Sequence, residues 1–317
     1  MSRYPDSPAT FREFHQMFPD DAACVAYLAS WRWPDGFVCP ACSSRRHCRL
    51  RTRPLWECLD CGHQASVTAG TVLHRTRLPL TTWLYAIWVL AVRRTSVSAL
   101  QLQRETGIGS YKSAWGLLHK VRRVLGESEA YKLHRGVVEV DESKVGCRGR
   151  GVARAMPPGG AWVVAAVERV VVERGERRWL ASGSARVEVI PDTRGETLRP
   201  FVHRSVRPGA TVVTDGWSPY RKLAGQGYVH EAHVLHDDRA VVEAVQPKVH
   251  LLFSNAKTWL NGTFHGVSAR YLGGYLAEFT YRFNRRRRKQ SIFGFVARRV
   301  MRGSWTSFEG LKPEATA

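Results

Sequence analysis

GVVEVDES (136–143), AWVVAAVERVVV (161–172) and WLASGSARVEVI (179–190) follow one another with Gly-rich joins at 146–160 and 173–178, and ATVVTDG (210–216) follows a helical interval. Their β-branched content and the turn residues between them predict three successive strands and then a fourth, short and buried, ending in Asp215-Gly216. A helix is predicted over 192–206, and YVHEAHVL (228–235) reads as an edge strand. From 239 onward the spacing is helical again, through AVVEAVQ (240–246), VHLLFSNAKTWL (249–260) and 268–284. Pro247 interrupts this stretch and opens a new helix, since proline is tolerated in a first turn. Three strands, helix, strand, helix, strand, helices is the order of an α/β unit with a mixed sheet.

Upstream the pattern is helical. Residues 11–30 predict two short helices, and 80–92 a Trp- and Leu-rich one. A helix at 98–105, a tight turn at 106–109 and a longer helix at 110–125 predict a helix-turn-helix. Its second helix carries Lys112, Lys120, Arg122 and Arg123 as DNA contacts; the alternative is a helical bundle that links two domains. No internal repeat is found.

With 317 residues, two or three folded units are expected. The 48 Lys and Arg against 27 Asp and Glu leave a net charge of +21, which suits a polyanion such as nucleic acid. Only 9 of the cations are Lys, and arginine forks match phosphate in a bidentate way. The opening MSRYPDSPATF lacks a signal-peptide pattern, and the apolar run at 83–92 is far shorter than a membrane span, so a soluble, cytoplasmic protein is expected. The run RRRRK (285–289) adds further candidate phosphate contacts, among them Arg285 and Arg286, together with Arg282. The 28 residues beyond it read as a mixed, partly disordered tail.

Cys39, Cys42, Cys58 and Cys61 form C-x2-C-x15-C-x2-C, the spacing of two knuckles around one tetrahedral Zn²⁺. Four sulfurs close the site, so the metal is structural. His47 and Cys48 lie between the knuckles as substitute ligands, whereas Cys24 and Cys147 read as inert. Asp141 and Asp215 each close a predicted strand. If those strands are neighbours, the carboxylates stand together and call for a cation, Mg²⁺ or Mn²⁺, able to promote phosphodiester chemistry. The competing reading is an Asp that caps the turn after each strand.

The segments RWPDGFVCPAC (32–42), VVEVDES (137–143), TVVTDGWSPY (211–220) and 249–286 resemble the DDE-type insertion-sequence transposases of the ISXO-like group, over about residues 10–290. The resemblance implies N-terminal helices (1–37), a zinc ribbon (38–75), a helix-turn-helix region (76–134), a ribonuclease H-like catalytic domain (135–290) and a tail (291–317). It also implies cutting and joining of DNA at terminal inverted repeats and target, by carboxylates that hold two divalent ions, in a bacterial, nucleoid-associated protein that is at least dimeric on DNA. Asp141 and Asp215 match the first two acids. The family pattern usually places Glu seven residues before a Lys; here His250 stands seven before Lys257. The two share a helix face, from which Asn255 is rotated by roughly 140°. Asp141, Asp215, His250 and Lys257 are therefore the expected catalytic set, with Glu243 as a reserve acid. Neutral His suits Mn²⁺ better than Mg²⁺. Lys257 is also a phosphate contact, Trp259 reads as core, and Trp217 as a wall or stacking platform beside Asp215. The alternative function is a catalytically inactive DNA-binding protein derived from a transposase; a nuclease without strand transfer is a third.

Overall fold

A computed structural model describes residues 7–129, 134–145, 160–233, 245–287 and 292–311. Cys147, Glu243, Arg288 and Lys289 lie outside the described residues, as does most of the helix expected at 240–246. The chain divides into two compact units, one of Met1–Leu125 with Arg287–Lys312, the other centred on Gly126–Arg286.

The first unit begins with α1 (Phe11–Met17) and α2 (Asp21–Arg32), capped by Thr10 and Asp20, whose side-chain oxygens accept from the backbone amides of Glu13 and Ala23. A three-stranded antiparallel sheet follows, β1 (His47–Arg49), β2 (Leu55–Cys58) and β3 (Gln64–Ser66). Next come α3 (Leu80–Val92), α4 (Ala99–Thr106) and α5 (Tyr111–Glu129). Ser98 caps α4, and Gly107 ends it in the left-handed region at φ 69°, so the helix, turn and helix fall where the sequence predicts them. The apolar run of α3 is core, and among the described residues no helix is long and apolar enough to cross a membrane.

The expected tail differs. Ile292–Arg302 is a helix, α9, that packs on α2 and α3. Ile292, Phe293, Val296, Ala297, Val300 and Met301 are buried, an apolar stripe at helical spacing that the arginines between them obscure in a composition count.

In the second unit five strands form one sheet in the order β6-β5-β4-β7-β8, with β4 (Val137–Val145), β5 (Ala161–Arg174), β6 (Arg177–Ile190), β7 (Thr211–Thr214) and β8 (Val229–Ala232). β4, β5 and β6 are antiparallel; β7 runs parallel to β4, and β8 parallel to β7. This is the mixed sheet with flanking helices expected of a ribonuclease H-like domain. One face packs α6 (Gly195–Ser205) and the 3₁₀ segment Ser218–Gln226 through Leu198, Phe201, Tyr220 and Leu223. The other packs α7 (Pro247–Phe264) and α8 (Ala269–Asn284) through Val249, Phe253, Leu272 and Leu276. Proline does open α7.

Phe293 packs its ring 5.8 Å from that of Phe18 and 5.7 Å from that of Tyr27, at 1% exposure. Phe293→Ala should destabilise the first unit by about 3–5 kcal/mol, seen as earlier denaturant unfolding; an unchanged midpoint would remove α9 from that core.

Candidate functional site

Two cysteine knuckles carry the first site. After each second cysteine the chain takes the left-handed conformation, at Ser43 (φ 62°) and Gly62 (φ 70°). The amides of these residues donate to the carbonyls of Cys39 and Cys58, both at 2.9 Å. The matching turns bring the sulfurs of Cys39, Cys42, Cys58 and Cys61 within 4.8 Å of one another. Cys39 Sγ lies 3.7 Å from Cys61 Sγ, and Cys42 Sγ 3.5 Å from Cys58 Sγ, close to the edge of about 3.8 Å that a tetrahedron of zinc–sulfur bonds requires. The donor set fits one structural Zn²⁺. His47 instead turns Nδ1 to the Arg45 carbonyl at 2.9 Å, and Cys48 is exposed on β1 outside the cluster. Cys24 is buried, and burial pushes its thiol up to about 12, which leaves it unreactive.

The second site lies on the sheet. Asp141 does not close its strand as expected: β4 runs on to Val145, because pairing with β5 continues through Val145↔Ala161. On its other side the ladder to β7 is short, with partners Val137↔Thr211, Val138↔Val212 and Glu139↔Val213. Asp215 follows the last residue of β7, and the same offset carried forward sets Asp141 beside it. Alternation along β4 turns Glu139, Asp141 and Ser143 toward α7. Glu139 meets the amides of Lys248 and Val249, Asp141 Oδ2 lies 3.9 Å from His250 Nδ1, and Ser143 Oγ accepts from Lys257 Nζ at 2.8 Å. Asn255 is exposed.

Electrostatics single out Asp141, which is pushed up to about 7, chiefly by burial and then by the charges of Glu142 and Asp215, with Lys257 acting in the other direction. Glu142 is raised as well, first by burial. It projects to the opposite face, where the buried Tyr220 hydroxyl donates to Glu142 Oε2 at 2.6 Å. Two carboxylates and an imidazole suit a divalent cation of the Mg²⁺ or Mn²⁺ kind. Among the described residues the four cysteines are the one group of three or more such ligands drawn within 4.8 Å of one another; Asp141, Asp215 and His250 do not close to that spacing.

Residues 134–284 match the ISXO2-like transposase domain, and residues 19–64 the transposase zinc-ribbon domain. The chain thus carries an ISXO2-like transposase domain behind a transposase zinc ribbon. It is also 28% identical, over 84% of its length and 91% of the relative's, to an uncharacterized protein in transposable element ISH50 of Halobacterium salinarum. No solved structure matches it.

Several of the expected phosphate contacts are engaged in the fold. Arg122 is 1% exposed, on the face of α5 that also buries Leu118, Val121 and Leu125, so it is not a surface contact. Arg123 donates to the Ser304 carbonyl, and Lys120 is partly buried, which lowers its pKa. Lys112 is exposed, with Nζ 4.4 Å from the Phe308 ring centre. Arg285 pairs with Glu129 at 2.7 Å and stacks on Tyr281, Arg286 donates to the Ser182 and Phe283 carbonyls, and Arg282 is paired with Glu278. Trp259 packs against Phe264 and Phe279 as core, and Trp217 is exposed next to Asp215.

Between the ordinary aspartate range near ~4 and about 7, the unfolded chain releases the Asp141 proton before the folded one does. Asp141 therefore lowers stability progressively as pH rises through that window, and the loss levels off above it. Without added Mg²⁺ or Mn²⁺ but with zinc retained, the stabilisation by Asp141→Asn should grow across this window; a gain independent of pH would contradict the assignment. For the first site, Cys58→Ser should abolish stoichiometric zinc in metal analysis and expose the ribbon to proteolysis, and full zinc retention would exclude the four-sulfur site.

Proposed function

We propose that this transposase mobilises an insertion sequence: it binds terminal inverted repeats with its zinc ribbon and the α4–α5 pair, cleaves a DNA phosphodiester and joins the freed end to target DNA. The observation that carries this reading is the parallel β4–β7 register, which brings Asp141 and Asp215 side by side where His250 arrives from α7.

In this reading Asp141 and Asp215 hold Mg²⁺ or Mn²⁺, and His250 is the neutral third ligand. The bound cation supplies charge stabilisation for in-line displacement at phosphorus. Lys257, oriented by Ser143, contacts a phosphate oxygen next to the scissile bond. Water adds to phosphorus as the 3′-oxygen leaves and takes up the proton that the water gives up; the resulting 3′-hydroxyl then attacks a target phosphodiester from the same site, forming a new ester bond while the bond to the target's own 3′-oxygen breaks and that oxygen takes the proton. Lys112 and the exposed Arg287 contribute phosphate contacts. Two ends must be held at once, so two or more copies act together on DNA.

The test is nicking and joining of supercoiled DNA that carries the element's ends, with Mg²⁺ or Mn²⁺. Asp141→Asn and Asp215→Asn should each reduce nicking by more than the roughly 10–100-fold that loss of an outer-sphere partner costs. His250→Ala should also be impaired, and His250→Glu should shift the preference from Mn²⁺ toward Mg²⁺. Normal nicking by His250→Ala would remove that residue from the set. Absence of nicking by the wild-type protein with intact DNA binding would favour an inactive DNA-binding derivative. Nicking without joined product would favour a nuclease.

A further inference from the structure

β4 and β7 stop pairing at Glu139↔Val213, just before the two aspartates. At that point a side chain takes over the backbone bonds. Gln246, the residue before α7, is fully buried at 0% exposure, and its Nε2 donates to the Val140 carbonyl at 2.9 Å and to the Val213 carbonyl at 3.1 Å. One amide group thus bridges the two strands whose next positions lead to Asp141 and Asp215. Its own Oε1 is buried with no hydrogen-bond partner among the described residues. Such an orphaned oxygen is costly and asks for a reason.

The first turn of α7 is tied down independently. The amides of Lys248 and Val249 donate to Glu139 Oε2 at 2.7 and 2.9 Å, as an N-terminal cap supplied by a strand. Glu139 Oε1 accepts from Arg169 Nε at 2.7 Å, and Arg169 also donates to the Val245 carbonyl. Glu139 is itself 0% exposed. His250 is the next residue after Val249, so the height of His250 against Asp141 follows from this seat.

We infer that Gln246 and Glu139 are positioning residues for the divalent-cation site: Gln246 spaces the ends of β4 and β7 so that Asp141 and Asp215 share one cation, and Glu139 sets α7 so that His250 reaches it. This rests on the metal reading of Asp141, Asp215 and His250 given above. A purely structural pin would leave cation affinity unchanged in a protein that still folds.

The experiment uses the full chain with its zinc in place and Mn²⁺ as the probe, its binding followed by electron paramagnetic resonance. Gln246→Met, of similar size but with no donor, should weaken Mn²⁺ binding by about 10–100-fold, with zinc content and far-ultraviolet circular dichroism unchanged. Nicking by this variant should recover when Mn²⁺ is raised. Wild-type Mn²⁺ affinity in folded Gln246→Met overturns the role of Gln246. Should that variant not fold, Glu139→Gln, which keeps an acceptor for the two amides but loses the charge facing Arg169, is expected to show a smaller loss of affinity in the same assay; unchanged affinity overturns the seat. Asp141→Asn separates the two readings. If it binds Mn²⁺ as the wild type does, the metal site itself is wrong, whereas its loss of binding beside unaltered positioning variants refutes only the inference made here.

Discussion

Backbone hydrogen bonding forces two carboxylates together in the second unit. Asp141 is fixed by a β4–β5 ladder that is continuous from Val138 to Val145, and Asp215 by the short parallel pairing of β7 with the other side of β4. Asp141 cannot retreat without breaking strand register, which would also turn the apolar residues of β4 to the wrong face, and Asp215 directly follows the last residue of β7. In the metal-free fold Asp141 is raised to about 7, first by burial and then by the nearby charges of Glu142 and Asp215. Everything around the pair serves that constraint. Apolar layers on both faces hold the sheet, Tyr220 engages Glu142 on one side, and α7 brings an imidazole and an ammonium on the other.

Much of this was legible in the chain. The cysteine spacing is a local property, and the knuckle turns need only a few residues on either side to form. Asp215 was readable as a strand end because Val212, Val213 and Thr214 are buried before it and Gly216 takes a φ of 81° directly after it. Asp141 was harder. The polar run Asp141, Glu142, Ser143 and Lys144 looks like the exit from a strand, yet it stays extended because it pairs on β5 with the buried Ala165, Val164 and Val163 and with the partly buried Trp162. Gln246 and Glu139 gave no signal of their own, since a lone Gln before a proline and a Glu within a Val-rich strand acquire meaning only when the helix lands on the sheet.

Charge was the feature that sequence counting read least well. An excess of arginine suits a polyanionic partner, but the guanidinium is also the cation that proteins use inside, where its planar fork satisfies several acceptors at once. Arg32 donates to the carbonyls of Val67 and Ala69, Arg169 to Glu139, Arg186 to Glu188 and the Arg204 carbonyl, and Arg285 to Glu129. These residues brace loops and helix ends, whereas Lys112 and Arg287 are among the cations that stay exposed.

The return of α9 to the first unit has a consequence for biosynthesis. The unit that holds the five-stranded sheet is an insertion within the unit that precedes it, so the ribosome must deliver residues 126–286 before the helix that completes the earlier core. A nascent chain that stops short carries its ribbon and helix pair without that closing helix. Early termination thus leaves the apolar residues that α9 covers open to solvent and to proteases.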